Sequence, residues 1–102
     1  MAQANRIVLG GRIVELDVLR HTPAGVPLLR FRLSHESSLA EAGSERKVDC
    51  EIAGVAFERE AKLLASARLG SAVTVTGFLA ARSRTSRQPV LHATHIEFTE
   101  GD

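Results

Sequence analysis

The sequence has no tryptophan and no tyrosine, and its only aromatic benzene rings are Phe31, Phe57, Phe78 and Phe98. Any base stacking must therefore use phenylalanine or the planar guanidinium of arginine. Cysteine occurs once, at position 50, which excludes an intrachain disulfide and a thiolate metal set. Cys50 stands in phase with Val48 and Ile52 in a β-like run, which predicts a small buried core residue. No apolar run is long enough to span a bilayer, and the start Met-Ala-Gln-Ala-Asn-Arg lacks the apolar core of a signal peptide, so a cytoplasmic location is expected. No Gly-x-Ser-x-Gly elbow and no Gly-Lys-Ser/Thr phosphate loop occurs. His92 and His95 are spaced so that a strand points them to opposite faces, which argues against a shared metal. The expectation is a non-enzyme with no cofactor.

One further absence is informative. Residues 61–96 contain no Asp or Glu, yet Lys62, Arg68, Arg82, Arg84 and Arg87 fall inside them. The acids Glu36, Glu41, Glu45, Asp49 and Glu51 lie earlier. Net charge is only +1, so affinity for a polyanion must come from this local clustering.

At 102 residues the chain is read as one domain, 1–102, with a modest core that oligomerisation would help stabilise. Asn5 to Leu16 is expected to form one long strand, with Ile7, Leu9 and Ile13 in one phase and Val8, Val14 and Leu16 in the other. Apolar residues on both faces of Ile7-Val8-Leu9 point to a dimer interface or to cover from the same chain. Gly10-Gly11 marks a bulge or bend. Thr22-Pro23-Ala24-Gly25 is a turn signal, flanked by Arg20 and His21. Leu28 to Ser37 alternates, with Leu29, Phe31 and Leu33 inward and Arg30, Arg32 and Ser34 outward. Ser38 to Glu45 is expected to be a polar loop. Arg46 to Ala53 is a third strand, with Lys47, Asp49 and Glu51 outward.

Val55 to Leu69 has helical spacing, with Phe57, Ala61 and Leu64 on a stripe that suits a lid over a core. Gly70 is placed as its left-handed stop. Ala72 to Ala81 is a fourth strand with a bend at Gly77. After the Arg82–Arg87 loop, Pro89 to Thr99 returns as a fifth strand, with Val90, His92, Thr94, Ile96 and Phe98 in one phase. Five strands, bent first and fourth members, and one helix between strands three and four predict a mainly β, five-stranded OB-fold barrel.

The opening Asn-Arg-Ile-Val-Leu-Gly-Gly and the stretch Leu-Gly-Ser-Ala-Val-Thr-Val-Thr-Gly resemble the bacterial single-stranded DNA-binding (SSB) proteins. Thr22-Pro23-Ala24-Gly25-Val26-Pro27, Phe31-x-Leu33-x-His35-Glu36-Ser37, Glu41-Ala42-Gly43, Gly77-Phe78-Leu79 and Val90-Leu91-His92-Ala93 are similar, within that superfamily, to the primosomal replication protein N (PriB) family. The resemblance covers nearly the whole chain, and its length also fits, with no SSB-type acidic tail. It implies a homodimer of OB folds that binds single-stranded DNA and acts in replication restart with the helicase PriA, with DnaT and with SSB. By position it implies DNA contacts from Arg20, Arg46, Arg82, Arg84 and Arg87, with Lys47 as a neighbour. Arg32, on the cationic face of the second strand, joins that expected set. The family's third-strand stacking aromatic is Asp49 here. An alternative is a protein-interaction adaptor that recruits primosome partners and binds DNA only weakly.

Overall fold

A computed structural model describes residues 3–99. Its strands are β1 (Ile7–Leu16), β2 (Arg20–His21), β3 (Pro27–Glu41), β4 (Ser44–Phe57), β5 (Ala72–Ala81) and β6 (Pro89–Phe98), with helix α1 (Glu58–Ala65) between β4 and β5. They are ordered β1-β5-β6-β4-β3-β2, and β1 also pairs with β3, which closes a barrel of β1, β3, β4, β6 and β5. The β4–β6 pairing is parallel and all others are antiparallel. This is the expected OB fold. The two-residue β2, which sequence periodicity does not detect, is an edge ribbon on β3.

Closure depends on β1 serving two neighbours. Residues Ile7 to Arg12 pair with β5, and from Arg12 onward the strand pairs with β3. At the crossover a Cβ on Gly11 would lie 2.3 Å from the Ser34 carbonyl oxygen, so only glycine allows the approach. The bend thus falls at the expected glycine pair, and the bulge follows between Ile13 and Glu15. Gly77 has the same role at the second bend, where a Cβ would lie 1.9 Å from the His92 carbonyl oxygen.

Opposite Gly77 the register slips, from Thr76↔His95 to Gly77↔Ala93, which leaves Thr94 as an extra residue in β6. The Thr94 hydroxyl donates to the Thr76 carbonyl at 3.1 Å. This bulge reverses the strand's phase. Leu91 and Ala93 are buried before it and Ile96 after it, so the single phase expected from Val90 to Phe98 is incorrect.

Five further expectations are corrected. The helix covers Glu58–Ala65, not Val55 to Leu69, because Val55 and Ala56 pair with β6 as strand residues. Ala61 and Leu64 are buried, so the helix does act as a lid, whereas Phe57 lies outside the core. Gly70 is left-handed, with φ 88°, but it sits in the turn after the helix, where its N–H donates to the Ile13 carbonyl at 2.7 Å. Ser38 to Glu45 is not a loop. β3 and β4 continue to a tight turn at Ala42-Gly43, with φ 53° and 81°, and form a hairpin arm beyond the barrel. Cys50 lies on that arm and is exposed, since no layer covers it.

Candidate nucleic-acid interface

The alternation of β3 buries Leu29, Phe31 and Leu33 and turns Arg30 and Arg32 outward. Both arginines line an open cleft of about 540 Å³, with Glu15 and Asp17 of the β1 end, Leu69 and Arg82. Arg82 opens the loop between β5 and β6. That loop is closed by its own bonds: the Arg82 N–H donates to the Gln88 carbonyl at 2.9 Å, and the Ser86 N–H to Ser83 Oγ at 3.0 Å. Its turn leaves Arg82, Arg84 and Arg87 exposed.

The cations differ in whether acid already compensates them. Arg32 stands 3.7 Å from Glu15 and 3.9 Å from Glu51. Arg20 is 3.6 Å from Asp17, and Arg46 is 3.5 Å from Glu41. The Val18 N–H, donating at 2.8 Å, holds the Asp17 carboxyl below its ordinary value; burial opposes this, and the Arg20 and Arg30 charges add to it. Among the described residues, Arg30, Lys47, Arg82, Arg84 and Arg87 make no ion pair.

A second depression, of about 210 Å³, sets Arg30 and Arg82 beside Phe57 and His92. Phe57 and His92 belong to a stack of three rings from three strands, completed by Phe78. His92 lies 5.0 Å from Phe78, with the planes 14° apart, and 6.2 Å from Phe57, with the planes 21° apart. Burial lowers the His92 imidazole below its ordinary value, and the Arg30 charge lowers it further.

Of the residues expected to bind, Arg32 and Arg82 share the cleft, Arg20 stands at its margin through Asp17, and Arg84 and Arg87 follow Arg82 on the loop. Arg46 and Lys47 are elsewhere. They lie on the hairpin arm, where Leu39↔Arg46 pairs seven residues beyond Arg32↔Ala53. At a strand rise of about 3.3 Å per residue that is roughly 23 Å. Sequence reasoning left out Arg30, although its alternation with Arg32 had placed it on the same face. It also placed Phe57 on the stripe over the core. Among the described residues no group of three or more His, Cys, Asp or Glu could hold a metal ion.

Of the three residues expected at a dimer interface, Ile7 and Leu9 pack against the chain's own core. Val8 is 52% exposed, and from Ile7 to Gly11 no second described strand pairs with the free edge of β1.

A family model described as "Another single-strand binding protein family" matches residues 5–95. The Replication restart protein PriB of Nitrosomonas europaea is 39% identical over 88 residues, spanning 86% of this chain and 82% of that protein. Its namesake from Bordetella pertussis is 43% identical over the same length and shares. The chain belongs to the PriB family. The solved structure of PriB from Ralstonia solanacearum agrees, with a TM-score of 0.86 at 31% identity over 96% of this chain and 100% of that one. In this PriB-family member Asp49 sits directly across the arm from Glu36. Like charges facing each other across a ladder repel, so the arm presents a poor surface to a polyanion.

Proposed function

We propose that this chain is a single-stranded DNA-binding accessory protein of replication restart, a binder and not an enzyme. What carries the reading is the cationic loop of Arg82, Arg84 and Arg87, free of acidic partners among the described residues, on an OB barrel of the PriB family. Arg30, Arg32 and Arg20 continue that surface along the cleft, with Arg46 and Lys47 a weaker, outlying part of it on the arm. Arginine bonds phosphate and stacks on bases at once, so binding is electrostatic with little sequence preference. The chain acts as a homodimer joined along the free edge of β1 around Ile7, Val8 and Leu9. Its partners are PriA, which it stabilises on forked DNA, together with DnaT and SSB, and it works in the cytoplasm.

Fluorescence anisotropy of a labelled oligothymidine across a salt series tests this. Log affinity is expected to fall with log salt by about 0.7 per neutralised phosphate. An Arg82→Ala, Arg84→Ala, Arg87→Ala variant should lose roughly 100-fold, taking about 1 kcal/mol per exposed pair. A salt-insensitive curve, or a variant that binds normally, would sink the reading. A second reading rests on the Glu36–Asp49 pair, whose charge suits a basic protein partner. Under it the wild-type chain binds oligothymidine weakly at every salt concentration while still capturing its partner.

A further inference from the structure

We infer that Phe57, His92 and Phe78 form a base-stacking subsite on the barrel wall, with Arg30 and Arg82 holding the adjoining phosphates. The inference rests on the single-stranded DNA reading above and deepens it. Phe57 and Phe78 are 37% and 39% exposed, an unfavourable placement for large rings that have no work at the surface. They are not scattered. Both flank His92, and the three rings are near parallel, with planes 14° and 21° apart.

Each ring comes from a different strand: Phe57 ends β4, Phe78 lies in β5, and His92 lies in β6 directly opposite Phe78. Strand backbones locked in one barrel fix the stack far better than a loop could, so a base meets a preformed platform. His92 lies between the two phenyl rings, so it spaces and aligns them and leaves their outer faces to a base.

The chemistry of the occupant follows from what surrounds the rings. Arg30 and Arg82 share the depression with Phe57 and His92, and neither makes an ion pair among the described residues. Aromatic faces beside unpaired guanidinium groups suit a ligand that alternates flat π surface with anionic linkers. A duplex hides its base faces within its own stack, so the occupant is an unpaired strand. The arm, by contrast, bears Asp49 where the family resemblance places an aromatic, so stacking in this chain is transferred from the arm to the wall.

Two measurements test this. In the first, Phe57→Leu and Phe78→Leu variants, checked for an unchanged circular dichroism spectrum and melting temperature, are titrated with oligothymidine and with an abasic strand of equal length. Each variant should lower the thymidine-to-abasic affinity ratio, by roughly 5- to 150-fold per base that loses its stack. In the second, the wild-type chain is irradiated with an oligomer carrying 5-iododeoxyuridine, and the cross-linked peptides are mapped. Cross-links at Phe57, Phe78 or His92 are expected. An unchanged affinity ratio in both variants, or cross-links confined to the arm, overturns the subsite while leaving DNA binding in place. Failure of the wild-type chain to bind either strand overturns the subsite and the underlying reading together.

Discussion

The barrel wall and the hairpin arm are both strand surfaces that carry arginine, but they differ in charge compensation and in aromatic rings. On the arm, Arg46 lies 3.5 Å from Glu41, and Asp49 faces Glu36. On the wall, Arg30 and Arg82 have no ion-pair partner among the described residues and stand beside Phe57 and His92 of the ring stack. A net charge of +1 conceals this contrast. The binding potential of a surface depends on which cations are left without carboxylates, and composition cannot report that.

The sharpest way to break the wall is through its backbone. Gly77→Ala places a methyl group 1.9 Å from the His92 carbonyl oxygen, where no flexible side chain can yield. The second barrel bend and the Phe78–His92 pair depend on that approach. We expect a loss above about 4 kcal/mol, a large share of the roughly 5–15 kcal/mol that holds a domain of this size folded. Urea denaturation followed by circular dichroism gives the answer, and a variant of near-native stability would mean that the barrel can open at this corner.

Next in size is the charge contrast. The triple loop variant should lose roughly 100-fold in oligothymidine affinity, while Arg46→Ala should lose less than about threefold, since Arg46 is already paired and exposed pairs contribute little. Equal losses would extend the binding path along the arm and remove the distinction. A smaller gain is expected from Asp49→Phe, which replaces a repelling acid with an exposed ring. Affinity should rise about fivefold or more if the arm lies on the DNA path, as one stacked base is worth at least about 1 kcal/mol. No gain would confine stacking to the wall.

The sequence made the barrel legible where local chemistry and tertiary need coincide. Gly11 and Gly77 are mid-strand glycines that only a close approach explains, and Ala61 and Leu64 carry helical spacing because they cap a core. It misled where the deciding fact lies outside the segment. The alternation of Val48, Cys50 and Ile52 marks a strand correctly but cannot tell whether a layer covers its apolar face, and on the arm Cys50 is exposed. Ala42 is a weak turn signal, since alanine seldom adopts φ 53°, so the hairpin passed for a loop. Thr94 gives no sign in the sequence that it is an extra residue, and its bulge alone reverses the phase of β6. The ring stack was least accessible. Phe57, Phe78 and His92 are far apart in the chain and meet only because the barrel places β4, β5 and β6 side by side.

The smallest expected effect concerns His92 and tests whether the stack is tight enough to shed water. Burial and the Arg30 charge lower its folded pKa below the ordinary value of 6.5, so the native state prefers the neutral ring. As pH falls through 6.5 the unfolded chain takes up a proton that the native chain refuses, so stability drops with falling pH until the folded pKa is passed. Above that window the ring is neutral in both states and its contribution is flat. Asp17 gives a slope of the same sign only lower, below its ordinary carboxyl value of 3.8, so the two windows are separable. His92→Gln should flatten the stability profile just below pH 6.5 in urea unfolding, leaving the acid limb below 3.8 unchanged. Identical profiles for the variant and the wild type would mean that water reaches the imidazole freely and that the stack is looser than its spacing implies.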